Sequence, residues 1–424
     1  MYPDFQYLFQ ALLGTDMPEW LSLFKTFGFL VALSFIAAAY TLVSELKRKE
    51  QAGLLSYKEK VIWKGKKATV QDYALQALIG FILAYKIGGI IQNTTVIAAN
   101  PLAFILSLEG ALGIGLLGAI ITLAMKYYEE KKNNLEKPVQ VKIRIYPHQR
   151  INDIVMVAAI GGIVGAKVFN AFETWDQFIK NPIEQLIASS GLTFYGGLII
   201  ATLALYRYAK KHQINFAQLC DAAAPGLMLA YGIGRLGCHF AGDGDWGIYN
   251  SAYISNPDGT LQQVSTDTFQ QVAQQAAPYM TYINNTLAPH MHVAAPSWLP
   301  NWLFGMNYAH NVNHEGMPLI DCVGNYCTAL PISVFPTPLY EAVVCILLFT
   351  LLWKWRTGFS RPLQLFGCYL MLNGAERFFV ELIRVNSQYD WGFLHPTQAE
   401  IIAVCLMSIG AYFFFRKEQK IQMP

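Results

Sequence analysis

Apolar residues fall along this chain in runs too long and too unbroken for the faces of a soluble domain, with short polar and mostly basic connections between them. At about 20 residues for a membrane-crossing helix, the runs predict nine spans, near 22–44, 73–92, 102–125, 152–172, 192–209, 217–236, 338–355, 362–383 and 398–415. One stretch, 248–335, breaks the pattern. It is too long for a connection and too aromatic for a disordered tail, with Tyr249, Tyr253, Tyr279, Tyr282, Trp298, Trp302, Phe304 and Tyr308 spread through it. A small cap is expected there, with a polar helix over Gln262 to Ala277, which lacks proline and glycine, and an aromatic interface anchor over Pro296 to Phe304.

Composition and charge sharpen this picture into a fold class: an all-α polytopic membrane protein of about nine transmembrane helices. The 424 residues are 54% hydrophobic and only 14% charged, which excludes an ordinary soluble domain. The net charge of +3 says little, but its placement says more. Lys and Arg crowd into Lys47–Lys67, Lys126–Arg150, Arg207–Lys211, Lys354–Arg361 and Arg416–Lys420, and none occurs from Ile248 to Phe335. By the positive-inside rule the basic segments are cytoplasmic and 248–335 is exported. Nine spans then place the N-terminus outside and the C-terminus in the cytoplasm. The first run is long and lacks a small-residue cleavage site, so it is expected to stay as a span. The expected divisions are 1–151 for the N-terminal spans, 152–247 and 336–424 for the core spans, and 248–335 for the cap. Cys322 and Cys327 lie close together in the cap and suit a disulfide if that compartment is a bacterial periplasm; the other five cysteines lie in or beside apolar runs.

Candidate chemistry gathers at the outer ends of the spans. The stretch Tyr231 to Gly247 closes the sixth run, and Arg235 sits at the membrane boundary, where an uncompensated cation is costly. Gly234, Gly237, Gly242, Gly244 and Gly247 allow backbone to approach a ligand, and Asp243 and Asp245 lie between them. A guanidinium, exposed amides and two carboxylates at a lipid–water boundary suit an anionic lipid headgroup. Arg377, Glu381 and Arg384 follow helical offsets and share one face. They form either a self-neutralising stripe between helices or, with two guanidiniums against one carboxylate, a phosphate clamp. Tyr340–Glu341 is a third cluster. Tyr195, followed by Gly196 and Gly197, offers a hydrogen bond to a headgroup or sits in the aromatic belt. Gly161, Gly162 and Gly165 predict close helix packing; Lys167 nearby calls for an ion pair, a substrate phosphate or a route to the interface. The exported His290, His292, His310 and His314 raise a zinc site, the minority reading without an H-E-x-x-H frame. His239 and His395 are acid–base candidates or satisfied structural histidines.

These motifs, in this order, resemble the bacterial prolipoprotein diacylglyceryl transferase family, whose members move the diacylglyceryl unit of phosphatidylglycerol onto the lipobox cysteine of a preprolipoprotein and release glycerol phosphate. The resemblance runs from Asn152 to the C-terminus. Gly234-Arg-Leu-Gly237 with Gly242-Asp-Gly-Asp-Trp-Gly247 is similar to the family's arginine loop, and Pro336-Thr-Pro-Leu-Tyr-Glu341 to its H-P-T-Q-L-Y-E. Arg377 to Arg384 is similar to its R-x3-E-x2-R helix, and Gly165-Ala-Lys167 to a G-A-R. The resemblance implies that Arg235 and Arg377 hold the lipid phosphate, that Glu381, Asp243 or Asp245 accepts the thiol proton, and that Arg384 and Glu341 position the arginines. It implies further substrate contacts from Tyr195, Gly196, Gly197 and Lys167, no cofactor, no metal and no nucleic-acid partner. It also implies a bacterial inner-membrane setting with the site facing outward. Four positions depart from the family: Tyr195 stands for the histidine of H-G-G-L, Phe335 and Pro338 for the His and Gln of H-P-T-Q, and Cys238 for an asparagine. Spans 73–125 and most of 248–335 look like additions. A tyrosine, with a free pKa of about 10, is a poor base. Either another group activates the thiol, or the chain is a non-catalytic relative that binds anionic phospholipid or lipoprotein.

Overall fold

The computed structural model describes residues 1–65, 67–92, 104–105, 107–133, 138–188, 191, 193–283 and 286–416. Parts of the predicted span 102–125 and of the basic segment ending at Lys420 lie outside the described residues. The chain is mostly helical. A short helix, α1 (Phe5–Leu13), precedes α2 (Thr26–Gln51), the strand β1 (Lys58–Lys64), α3 (Val70–Gln92), α4 (Leu112–Asn133) and β2 (Val139–Ile145). Then come α5 (Ile151–Glu173), α6 (Phe194–Lys211) and α7 (Phe216–Ala241). The cap contributes β3 (Tyr249–Ser255), β4 (Leu261–Gln263), α8 (Thr266–Gln275), β5 (His290–Met291) and β6 (Ile332–Val334), and α9 (Thr337–Trp355), α10 (Gln364–Glu381) and α11 (Gln398–Phe415) end the chain.

Among the described residues nine helices reach 18 residues or more, one for each predicted span. Six of them, α2, α3, α4, α5, α9 and α11, are long and apolar enough to cross a membrane. The other three fall short of this and include Arg207, Lys210 and Lys211 in α6, Asp221 and Arg235 in α7, and Glu376, Arg377 and Glu381 in α10. Together these helices make the chain a multi-pass membrane protein.

The chain forms two compact units. The first comprises Met1–Met17, Phe24–Glu45 and Ala217–Pro424. Its helices meet at glycines, which let membrane helices approach closely. Gly232 of α7 packs on the Ala342 carbonyl and Cys345 of α9, and Gly367 of α10 lies against the carbonyl of Gly410 in α11. The cap is the main departure from an all-α fold. Its sheet runs β6-β3-β4, with β5 paired in parallel to β3, over a core of Tyr249, Phe269, Tyr308, Leu330, Ile332 and Val334. The aromatic and β-branched residues that looked irregular in sequence are strand formers filling one small core. Residues Leu261–Gln263 pair with β3, so the predicted polar helix is confined to Thr266–Gln275.

The second unit comprises Pro18–Leu23 and Leu46–Phe216. Within it α3 packs on α4 and α5 on α6. Gly80 and Gly118 oppose each other in the first pair, and Gly165 and Gly196 in the second. Gly197 faces the Gly162 carbonyl, where an added Cβ would stand 2.8 Å from the oxygen. β1 and β2 form an antiparallel ribbon, with Lys58 opposite Ile145 and Lys64 opposite Val139. Its strands lie about 75 residues apart in the chain, so no hairpin turn marks this ribbon in the sequence.

Candidate active site

The site residues of the first unit are brought together by three local devices. α10 is fixed at its start by Asp221 of α7, whose carboxylate accepts from the Leu363 and Phe366 backbone N–H groups at 2.8 and 2.9 Å; an anion there satisfies otherwise orphaned donors and complements the helix dipole. The loop after α7 turns at Gly244, where φ is +76°. It is then strapped down at Gly247, whose N–H donates to the Phe335 carbonyl at 2.8 Å and whose missing Cβ would meet the Ile383 carbonyl at 2.7 Å. Thr337, in the first turn of α9, donates to the Asp245 carbonyl at 2.9 Å. Thr397, which also follows a proline at the start of a helix, instead forms a capping box with Glu400.

The centre of the cluster is Glu341, whose side chain is fully buried. One oxygen pairs with Nε of Arg235 and accepts from the Tyr231 hydroxyl at 3.2 Å. The other accepts from Arg377 and from Arg384, each at 3.3 Å. Asp245 bridges Arg235 and Arg384, the latter at 2.7 Å, and Arg377 pairs with Glu381 at 3.0 Å. Three guanidiniums thus meet three carboxylates. The positive surplus expected along the Arg377–Arg384 stripe is neutralised by residues from two other elements. The arginines remain 10–22% exposed, and the buried Nε of Arg384 has no hydrogen-bond partner among the described residues. A cavity of about 420 Å³ opens beside them, lined by Glu381, Arg384 and Asn386 with Ile248, Leu382 and Val385.

The two loop carboxylates are driven apart electrostatically. Burial favours the neutral form of Asp245, but the charges and hydrogen bonds of Arg235 and Arg384 outweigh it and hold this carboxyl below its ordinary range. Burial first, and then the neighbouring Asp245 charge, push Asp243 up to about 6 against the pull of Arg235. Asp243 makes no ion pair among the described residues. Of the three acids considered as thiol bases, Glu381 and Asp245 are committed to arginines.

Other predicted residues lie in different settings. Tyr195 stands half-buried in the first turn of α6, and Gly196 and Gly197 lie in its seam with α5. Lys167 donates to the Gln185 and Ala188 carbonyls at 3.1 and 2.7 Å. These four residues belong to the second unit. In the cap, Cys322 and Cys327 form a disulfide with Cα atoms 5.6 Å apart. His310 donates to the Tyr326 carbonyl at 2.7 Å, His314 stacks on Tyr326, His290 on Phe269, and His292 meets Ser251. Among the described residues no three metal-ligating side chains converge. His239 contacts the Tyr308 hydroxyl at 3.3 Å, and His395 pairs with Asp390 at 3.6 Å.

Two contributors had escaped notice. Tyr231 lies one helical turn before Arg235 and supports its guanidinium from 5.2 Å; the i, i+4 spacing was a readable signal. Asn386 donates to Glu381 at 2.6 Å, and nothing in its sequence position pointed there. Glu376, the residue before Arg377, is 5% exposed, and neither carboxyl oxygen has a hydrogen-bond partner among the described residues.

A multi-pass membrane protein with a buried arginine–carboxylate cluster at its helix ends is the class that fold and site define. Comparison with known proteins narrows it. The sequence model of the prolipoprotein diacylglyceryl transferase family matches residues 131–416, and the chain belongs to that family. It is 24% identical over 329 residues to the phosphatidylglycerol–prolipoprotein diacylglyceryl transferase of Leptospira interrogans, covering 66% of this chain and 83% of that protein. The enzymes of that name from Dehalococcoides mccartyi and Xanthomonas oryzae pv. oryzae are 24% and 26% identical. These matches cover 63% and 59% of this chain, and 78% and 69% of the respective relatives. The family match begins within the last turn of α4, so α2, α3 and most of α4 lie before it.

Proposed function

We propose that this chain transfers the diacylglyceryl group of phosphatidylglycerol to the lipobox cysteine of preprolipoproteins. The family supports the reaction, and the observation that carries it to these residues is the Glu341 hub. It fixes Arg235 of α7, Arg377 of α10 and Arg384 just beyond α10 in one group while leaving part of each side chain accessible. Lipid phosphate oxygens take the N–H groups that the carboxylates leave unused, and those groups stabilise charge as the phosphate departs. Asp243 accepts the thiol proton, since of the three loop and helix acids weighed as the base it alone stands outside the ion pairs, with its carboxyl raised to about 6. The thiolate attacks the glyceryl carbon that carries the phosphate; a carbon–sulfur bond forms, the carbon–oxygen bond breaks, and glycerol phosphate leaves with the electron pair. Asp243 then returns its proton to water or to the leaving phosphate. In this reading all nine long helices span a bacterial inner membrane, with the N-terminus and cap outside, the C-terminus in the cytoplasm, and the cluster at the outer boundary.

The deciding experiment uses membranes holding the protein, phosphatidylglycerol labelled in its esterified glyceryl unit, and a lipobox peptide. Label should appear on the peptide cysteine and be lost with Arg235→Ala. If the folded protein retains lipid but transfers nothing under conditions where a family enzyme works, the transferase reading fails and a non-catalytic lipid- or lipoprotein-binding role replaces it.

A further inference from the structure

The ribbon β1–β2 has a face with no role in the transferase reading. Its register sets Glu59, Val61 and Trp63 opposite Arg144, Lys142 and Gln140, and directly opposed residues of an antiparallel pair share a face. That face is open: Val61 is 50% and Trp63 54% exposed, and Gln140, Lys142 and Arg144 are exposed as well. On the reverse face Ile62, Val141, Ile143 and Ile145 are half-buried, while Lys60, Lys64 and Val139 are exposed. One hydrogen bond and the path of the chain place the ribbon at the basic ends of the helices in its unit. Lys58 donates to the Lys211 carbonyl at the end of α6 at 2.8 Å, and the ribbon leads into α3 and receives the chain from α4, whose last turn carries Lys131 and Lys132.

The chemistry of the open face fits one environment. A lone two-stranded ribbon is marginal in water, and a half-exposed indole beside a valine gains from burial. The surroundings are cationic: Lys142 and Arg144 on the face, exposed Lys60 and Lys64 on the reverse face, exposed Lys67 beyond β1, and Glu59, which pairs with Arg144 at 3.9 Å, as the one acid in residues 52–68 and 138–150. Tyr57 supports the Arg144 guanidinium from 4.6 Å, holding it out along the surface. Indole rings settle at headgroup level, and basic side chains next to spans are drawn to anionic headgroups.

We propose that this ribbon lies in the headgroup layer at the basic ends of the spans and binds anionic phospholipid, with Trp63 and Val61 in the interface and Lys142 and Arg144 on phosphates. The inference rests on ribbon geometry and charge and is independent of the transferase reading. It is tested with the full-length protein in nanodiscs of phosphatidylcholine alone or with phosphatidylglycerol. Trp63 is read as the difference in emission between wild type and Trp63→Phe, which removes the signal of the other tryptophans. In anionic discs this emission should shift to the blue and be quenched by a lipid nitroxide at headgroup depth, and the K142A/R144A variant, altered only at exposed side chains, should lose at least about half of that quenching. Equal quenching by aqueous acrylamide in both lipid compositions would overturn the proposal, as would protection from both quenchers, the mark of a protein contact. Lipid quenching unchanged in K142A/R144A would overturn its electrostatic basis.

Discussion

Replacing the hub carboxylate is the sharpest perturbation of this site. In Glu341→Gln the shape is kept and one charge is lost, so Arg235, Arg377 and Arg384 face only Asp245 and Glu381. Glu341 is 0% exposed and its partners are 10–22% exposed, so solvent screens little of the imbalance. Removing one partner of a buried ion pair costs about 3–5 kcal/mol. At about 1.4 kcal/mol per decade this is roughly two to three and a half decades in the folding equilibrium. Glu376→Gln is the internal comparison, because Glu376 is nearly as buried but its carboxyl has no hydrogen-bond partner among the described residues; its loss is expected to cost under about 1 kcal/mol. Thermal unfolding in zwitterionic nanodiscs should therefore show a clearly lowered midpoint for Glu341→Gln and almost none for Glu376→Gln. Phosphatidylglycerol should restore part of the loss, since the variant cluster carries an uncompensated positive charge. Equal midpoints for the two variants, or no response of Glu341→Gln to anionic lipid, would refute the hub.

Transfer should fall as pH drops through about 6, because the base form of Asp243 is then protonated; Asp243→Asn should remove that limb and lower the rate roughly 10²–10⁴-fold at neutral pH, measured as label transfer across pH. Arg377→Lys keeps the charge but cannot span Glu341 and Glu381 together, so transfer should drop roughly 10–10²-fold in the same assay, with near-wild-type activity as the contrary result. Gly410→Val would press a side chain onto the Gly367 carbonyl, 2.6 Å from the added Cβ, and should cost about 1–3 kcal/mol, whereas Gly28→Ala, with nothing within 4 Å, should leave the unfolding midpoint unchanged. Cys322 and Cys327 should react with alkylating agents only after reduction, read by mass spectrometry, and Cys322→Ser should destabilise the cap by about 2 kcal/mol.

The positions of the nine long helices were legible because a chain in lipid must satisfy its backbone within each apolar run, so run length and helix number follow each other. Helix ends were less legible: α2 continues from the predicted 44 to Gln51, since Lys47, Arg48 and Lys49 favour a helix although they end the apolar run. The arginines and acids were also visible, because charge at a membrane boundary is costly enough to need a reason. Their pairing was not. Periodicity put Arg377, Glu381 and Arg384 on one face, yet which carboxylate joins them to Arg235 depends on where α9 packs against α7, and Glu341 comes from that third helix. The cap sheet and the β1–β2 ribbon arise from pairing between segments far apart in sequence, which no local pattern encodes. Residue type and spacing therefore determined the membrane class and supplied the charged groups. Tertiary packing alone decided that Glu341 is their centre and that Asp243 stands outside the ion pairs with its carboxyl raised, because burial and neighbouring charge act through space and not along the chain.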